Sequence, residues 1–198
     1  KYRRVTKEGK YEDVIKADPK VHYTTMMTTR ATMVNTASAR LAMGATIAIR
    51  YSCVRQQGFV DSSTKTFRAS ENKIIDYKIQ QYRLFKQLAN AYALKFTGRW
   101  MIEQVGLLEG KNVGIIKNTE LLKELAATSA GLKSLCTIMA TNGIEDCRKC
   151  CGGNGYLLNS GIAAMSVDYL WQVTAEGDAS ILALLTGKHL LKSIGKVF

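Results

Sequence analysis

Residues 147–178 read CRKCCGGNGYLLNSGIAAMSVDYLWQVTAEGD. A glycine cluster, Gly152-Gly153-Asn154-Gly155-Tyr156, breaks a long helical pattern, and an acidic turn, Ala175-Glu176-Gly177-Asp178, opens the next helix. Glycine at that density lets backbone N–H groups approach a phosphate closely. The same glycines also make an ordinary helix C-terminal stop. A carboxylate at a helix start, in mostly apolar surroundings, suits a general base. It equally complements the helix macrodipole, worth about 0.3–1 kcal/mol, and Asp178 beside Glu176 fits that plainer reading.

Upstream of the glycines, the spacing predicts a helix over 118–151 with Leu121, Leu125, Leu132, Leu135 and Met139 on one face. Asn118 or Thr119 is positioned to cap it. A helix over 71–107 is predicted from Ile75, Ile79, Tyr82, Phe85, Leu88, Tyr92 and Phe96. Another, over 22–57, is predicted from Met26, Met33, Ala37, Leu41, Ala45 and Ala48. Its many small residues point to close helix packing. Loops are expected at 57–70 and 109–114, where glycine and polar residues break the period. Downstream, 160–173 reads as short helical or irregular chain, and a last helix is expected over 177–196. Residues 1–20 are polar and weakly alternating, hence extended. The expected fold is all-α, an antiparallel bundle of four main helices behind a short extended N-terminal segment.

Composition agrees with this. One proline, Pro19, in 198 residues leaves long helices uninterrupted. The net charge of +12 suits an anionic partner, but the basic residues are dispersed, so nucleic-acid binding is not expected. Five cysteines make an odd number, and the pattern reads as reduced thiols rather than a disulfide framework. Apolar runs are interrupted by charge, as Leu41–Ile49 is by Arg40 and Arg50, so no membrane span is expected.

Other residues invite chemical readings. Cys147, Cys150 and Cys151 have no fourth ligand at zinc-like spacing, so they read as small buried residues and no metal is expected. Arg30 interrupts a run of Thr, Met and Ala. It either meets an anionic partner or lies on a solvated face. Arg55, with Gln57 just after it, sits where a helix ends; a basic C-terminal turn alone accounts for it.

Several phrases together resemble the acyl-CoA oxidases: IAIRYSCVR at 47–55, IDYKIQQYRLF at 75–85, AGLKSL at 130–135, and GIEDCRK at 143–149 leading into the glycine cluster and the Glu-Gly-Asp turn. The IDYKxQQxRLF phrase distinguishes oxidases from the related dehydrogenases. The resemblance implies the helical bundle of that superfamily's C-terminal domain, with residues 1–20 as the tail of a β-domain or linker and 21–198 as the flavin-contacting domain. It implies FAD as cofactor, a fatty acyl-CoA substrate, O2 as electron acceptor, a homodimer and a peroxisomal location. Glu176 matches the base that takes the α-proton of the thioester, while the β-hydrogen goes to the flavin and dioxygen becomes hydrogen peroxide. Arg30 matches an arginine near that glutamate, on the substrate side. Arg55, Gln57, Gly152, Gly153, Asn154, Gly155, Tyr156 and Asp178 match cofactor-binding positions, the first two and the glycine loop reaching the FAD of the neighbouring subunit. Asn154 stands where oxidases usually carry His, and Ala175 where an aromatic or Thr-like residue is common. The resemblance spans about the middle third of a family chain, so the sequence reads as a fragment with apolar faces left for other domains. The alternative is a truncated, non-catalytic homologue serving as a helical interaction or dimerisation module.

Overall fold

A chain rich in small and unbranched residues, with its only proline at position 19, meets little resistance to long helices. In the computed structural model, which describes residues 3–13, 19–59, 70–109 and 119–195, three helices exceed eight turns. They are α1 (Pro19–Val54), α2 (Lys78–Glu109) and α3 (Thr119–Cys150). The short α4 (Ile162–Tyr169) and the longer α5 (Ala179–Ile194) follow. Pro19 stands at the first helical position, where its missing N–H costs nothing, so the helix begins there rather than at 22. The expected loop at 109–114 and the cap at Asn118 fall largely outside the described residues.

Cross-helix bonds fix the directions. Gln80 Nε2 donates to Ser52 Oγ at 3.0 Å, while Lys95 Nζ reaches Asn35 Oδ1 at 3.5 Å, so α1 and α2 are antiparallel. Arg83 and Gln87 meet Asp146 near one end of the α2–α3 pair, and Met101 and Val105 cluster with Leu122 and Leu125 near the other. Ser134 bonds the start of α5 and Ala127 accepts from Thr186, which makes α3 and α5 antiparallel too. The result is the expected up-down-up-down bundle. Among the described residues two small hairpins accompany it. β1 (Arg3–Val5) pairs antiparallel with β2 (Tyr11–Asp13), and β3 (Gln56–Phe59) with β4 (Glu71–Lys73). The second hairpin occupies part of the region expected to be loop.

The main core joins Val34, Ala37, Leu41, Ala45 and Ala48 of α1 to Leu84, Ala91 and Leu94 of α2 and to Cys136, Ala140, Ile144 and Cys147 of α3. The α1 stripe is therefore inward as expected, except that Met27 is buried where Met26 was named. The α2 stripe is reversed. Ile79, Tyr82, Phe85, Leu88, Tyr92 and Phe96 all face outward, and Tyr82 and Phe96 are more than two-thirds exposed. The buried face carries Leu84, Gln87, Ala91, Leu94, Met101 and Val105. Both faces of α2 are apolar, so periodicity gives two solutions. The alanine-lined surface of α1 selects the smaller residues, because close-packed helices leave no room for large aromatic rings between them. On α3 the expected face is inward, with Leu125 buried and Leu121, Leu132 and Met139 packed against the core; only Leu135 is exposed, and Lys133, Cys136, Thr137 and Ala140 are buried beside them.

Candidate active site

Glu176 is placed by a turn, not by a helix. After α4 the chain runs through a short 3-10 segment, Leu170–Val173, and α5 begins at Ala179. Between them Glu176 takes φ 57, the only positive φ among the described non-glycine residues, and Gly177 follows at φ 114. A left-handed conformation at a glutamate costs of order 1–3 kcal/mol and persists only where surrounding contacts hold it.

Two cations supply those contacts. Arg30, 3% exposed on α1, donates from Nε to the carbonyl oxygen of Glu176 at 3.0 Å. Lys133, fully buried on α3, donates from Nζ to the carbonyls of Val173 at 2.9 Å and Gly177 at 2.7 Å. Burial pushes the Lys133 ammonium below its ordinary value and the nearby Arg30 adds to this, while Asp178 and Glu176 oppose it. Ser134 Oγ donates to the Ala179 carbonyl at 2.6 Å. Asp178 accepts from the Ser180 N–H at 2.9 Å, so it is the N-cap of α5. The Glu176 side chain itself belongs to an exposed residue, outside this clamp.

The glycine cluster lies at the C-terminal end of α3. Gly152–Tyr156 forms a 3-10 turn, fastened to α1 by the Asn154 Nδ2 to Tyr51 hydroxyl bond at 2.7 Å. Gly155 is required sterically, since a Cβ there would run into the Arg148 carbonyl. Gly152 and Gly153 instead have open space where a Cβ would stand. Arg55, Gln57 and Gly152 line one pocket of about 250 Å³ together with Tyr51, Tyr77, Gln80 and Lys149. Two cations, amides and bare glycine backbone suit a phosphate-bearing ligand. On the other side of the loop, Tyr156 lines a wider cleft of about 890 Å³ with Glu145, Arg148 and Ser166.

The structure thus sorts the expected residues into two groups. Arg30, Glu176 and Asp178 meet at one place; Arg55, Gln57 and Gly152 meet at another, at the start of the loop whose Tyr156 lines the wider cleft. Arg30 lies within α1 and Arg55 just past its end, about 37 Å apart along the helix at 1.5 Å per residue. Asp178, expected with the cofactor residues, is in the first group. Lys133 and Tyr51 received no role from the sequence although both stand in family-like phrases. The readable signal for Lys133 is a lone cation among Ala, Gly, Leu and Ser.

The phrase IDYKIQQYRLF has a structural account. Gln80 Nε2 also donates to the Cys150 carbonyl at 2.8 Å, at the base of the glycine loop. Arg83 bonds Asp146 Oδ1 through Nε at 3.0 Å and Nη2 at 2.6 Å, and Gln87 takes Oδ2 at 3.1 Å. These bonds hold the end of α3, and therefore the loop, against α1 and α2. Among the described residues no group of His, Cys, Asp and Glu could hold a metal, and no helix is long and apolar enough to cross a membrane.

Residues 23–191 match the family model described as acyl-CoA oxidase, C-alpha1 domain. Peroxisomal acyl-coenzyme A oxidase 1 of Rattus norvegicus is 40% identical over 197 residues, covering 100% of this chain and 28% of the relative. The protein of that name from Homo sapiens is 38% identical over 198 residues, with the same two coverages. Among solved structures, an acyl-CoA oxidase from Lycopersicon esculentum (tomato) superimposes with TM-score 0.84 at 38% identity, covering 98% of this chain and 29% of its own. Acyl-CoA oxidase-2 of Caenorhabditis elegans, bound with FAD, ascaroside-CoA and ATP, gives TM-score 0.82 at 34% identity, with coverages of 98% and 28%. The chain spans under a third of the length of each of these relatives.

Proposed function

We propose, since this chain belongs to the acyl-CoA oxidase family as a C-alpha1 domain, that it is the flavin-contacting helical part of an FAD-dependent oxidase. The reaction is conversion of a fatty acyl-CoA and O2 to the trans-2-enoyl-CoA and H2O2, in fatty-acid β-oxidation. The observation that carries this reading is the Glu176 turn. A carboxylate is displayed on a backbone held by Arg30 and Lys133, at the residue that the resemblance matches to the family's base.

Glu176 takes the α-proton of the acyl thioester onto a carboxylate oxygen. That proton is only weakly acidic, so the base must be pre-positioned. Arg30 acts on this base through its main chain, which refines the substrate-binding role expected for it. Asp178 caps α5 and fixes where the turn ends. FAD bound there would supply the acceptor for the β-hydrogen, as hydride, and the route of its electrons to dioxygen. The pocket of Arg55, Gln57, Lys149 and Gly152 fits the phosphate-bearing part of FAD, because its cations and open glycine backbone match that group.

The separation of the two groups along α1 supports a homodimer. The rise of about 37 Å from Arg30 to Arg55 suits an arrangement in which one chain's base and its glycine loop serve different FAD molecules. The loop then completes the site of the partner chain. A peroxisomal location follows from the relatives, which are named as peroxisomal.

The test is Glu176→Gln in the FAD-loaded enzyme that carries this segment. Under anaerobic conditions acyl-CoA should no longer bleach the flavin. Bleaching at a near-native rate removes Glu176 as base. Peroxide release by the native enzyme in air separates an oxidase from a dehydrogenase.

A further inference from the structure

We propose that Lys133 is a positioning residue for this reaction, its buried ammonium holding the Val173–Gly177 turn in the shape that presents the Glu176 carboxylate. The inference rests on the reading of Glu176 as base.

Lysine seldom occupies a fully buried position, because its flexible stem ordinarily carries the charge out to water. Lys133 has no such exit. It lies in the middle of α3, between Ser129 and Ala130 on one side and Cys136 and Thr137 on the other, all buried. An apolar side chain of similar volume usually serves packing as well as or better than a buried cation. What Lys133 adds is direction. Its Nζ takes the carbonyls of Val173 and Gly177, the two ends of the turn that contains Glu176. Arg30 Nε takes the Glu176 carbonyl between them. Three carbonyls of a five-residue turn are thereby drawn toward two cations inside the bundle.

That convergence has a consequence for the side chain. With the carbonyl of Glu176 held inward and its φ at 57, the residue is left exposed on the outer side of the turn. Ser134, the next residue of α3, holds the Ala179 carbonyl, so the first turn of α5 is tied to the same stretch of helix. Removing the ammonium leaves the Val173 and Gly177 carbonyls without this donor and lets the turn relax to an ordinary negative φ at Glu176. A displacement of about 1 Å in a reacting group can cost roughly a hundredfold in rate.

The experiment compares Lys133→Met, Lys133→Gln and Glu176→Gln in the FAD-loaded enzyme. The rate of anaerobic flavin bleaching by acyl-CoA, the KM for acyl-CoA, FAD content and Tm are measured for each. The expected result for Lys133→Met is a fall in bleaching rate of about a hundredfold per bound flavin, with KM changed less than about threefold. Lys133→Gln, which keeps amide N–H donors on a shorter stem, should fall between this variant and the native enzyme. A bleaching rate per bound flavin within about threefold of native overturns the proposal. So does a loss that follows FAD content and Tm alone, which is what a purely structural lysine would give. If Lys133→Met does not fold, Lys133→Gln decides; if neither folds, Lys133 is structural and the proposal fails. Native-rate bleaching by Glu176→Gln would instead sink the assignment of the base, whatever the lysine variants do.

Discussion

Arg30 and Glu176 are 146 positions apart in the chain, yet the Arg30 guanidinium donates to the Glu176 carbonyl oxygen at 3.0 Å. The bond is made to backbone, so it controls where the glutamate starts rather than where its carboxylate ends. It also explains how a non-glycine residue is kept at φ 57 on an exposed turn. The energy that holds the turn comes from α1 and α3, not from the turn's own sequence.

Glycine at position 176 is therefore expected to be tolerated by the fold. The left-handed conformation is free for glycine, while its extra freedom in the unfolded chain offsets part of the gain. Glu176→Gly should change unfolding free energy by between about 0 and +1 kcal/mol and abolish acyl-CoA-dependent flavin reduction. A urea titration that shows clear destabilisation would mean that the glutamate's conformation is not strained.

The Arg83–Asp146 pair joins α2 to α3 with both side chains about one-third exposed. Surface pairs are worth little, but this one is bidentate toward a single oxygen and shares its partner with Gln87. Arg83→Met should destabilise by about 1–3 kcal/mol, between the surface and buried limits. Arg83→Lys should recover only part, because one ammonium cannot reproduce the fork. Equal midpoints for native and Arg83→Met proteins in urea would show the pair to be energetically idle.

Thiol reactivity should divide cleanly. Cys53 is exposed, whereas Cys136, Cys147, Cys150 and Cys151 are buried. Burial pushes Cys136 and Cys150 up to about 11 and Cys147 up to about 12, so none of these offers thiolate at neutral pH. Brief alkylation of the native chain should therefore modify Cys53 alone, and denaturant should release the others. Peptide mass mapping that finds Cys147 or Cys150 modified as fast as Cys53 would contradict the packing of α3 against α1.

Glu145 predicts an acid limb. Its hydrogen bond from Arg148 chiefly holds the carboxyl below its ordinary 4.5; burial opposes this, and the charges of Arg148 and Lys149 assist. Because the folded value is the lower one, the unfolded chain binds the proton more tightly as pH falls. The stabilisation is complete above about pH 4.5 and is lost as pH drops through the folded value. Arg148→Met should remove this increment. The difference in Tm between native and variant proteins should hold steady near neutrality and shrink below about pH 4.5. A difference that grew with acidification would reverse the sign and reject the assignment.

Much of this protein was legible in the sequence. Helix number and approximate bounds followed from the scarcity of proline, the apolar periods and the glycine stops, all of which are local properties of the chain. The family-like phrases pointed to Glu176, Arg55 and the glycine loop as residues of interest. Which face of each helix points inward was not legible where both faces are apolar. On α2 the aromatic stripe from Ile79 to Phe96 and the smaller stripe from Leu84 to Val105 have the same period. Only the space beside α1 chose between them.

The candidate site divides in the same way. Residue types and order, including a glycine cluster followed by a Glu-Gly-Asp turn, were determined by sequence alone. Tertiary structure decided that Asp178 caps α5, that Lys133 is buried on the turn's carbonyls, and that Arg30 reaches Glu176 through its main chain. The physical reason is range. Propensity and periodicity act over a few residues, whereas a buried cation acquires its meaning from carbonyls that only folding brings within 3 Å.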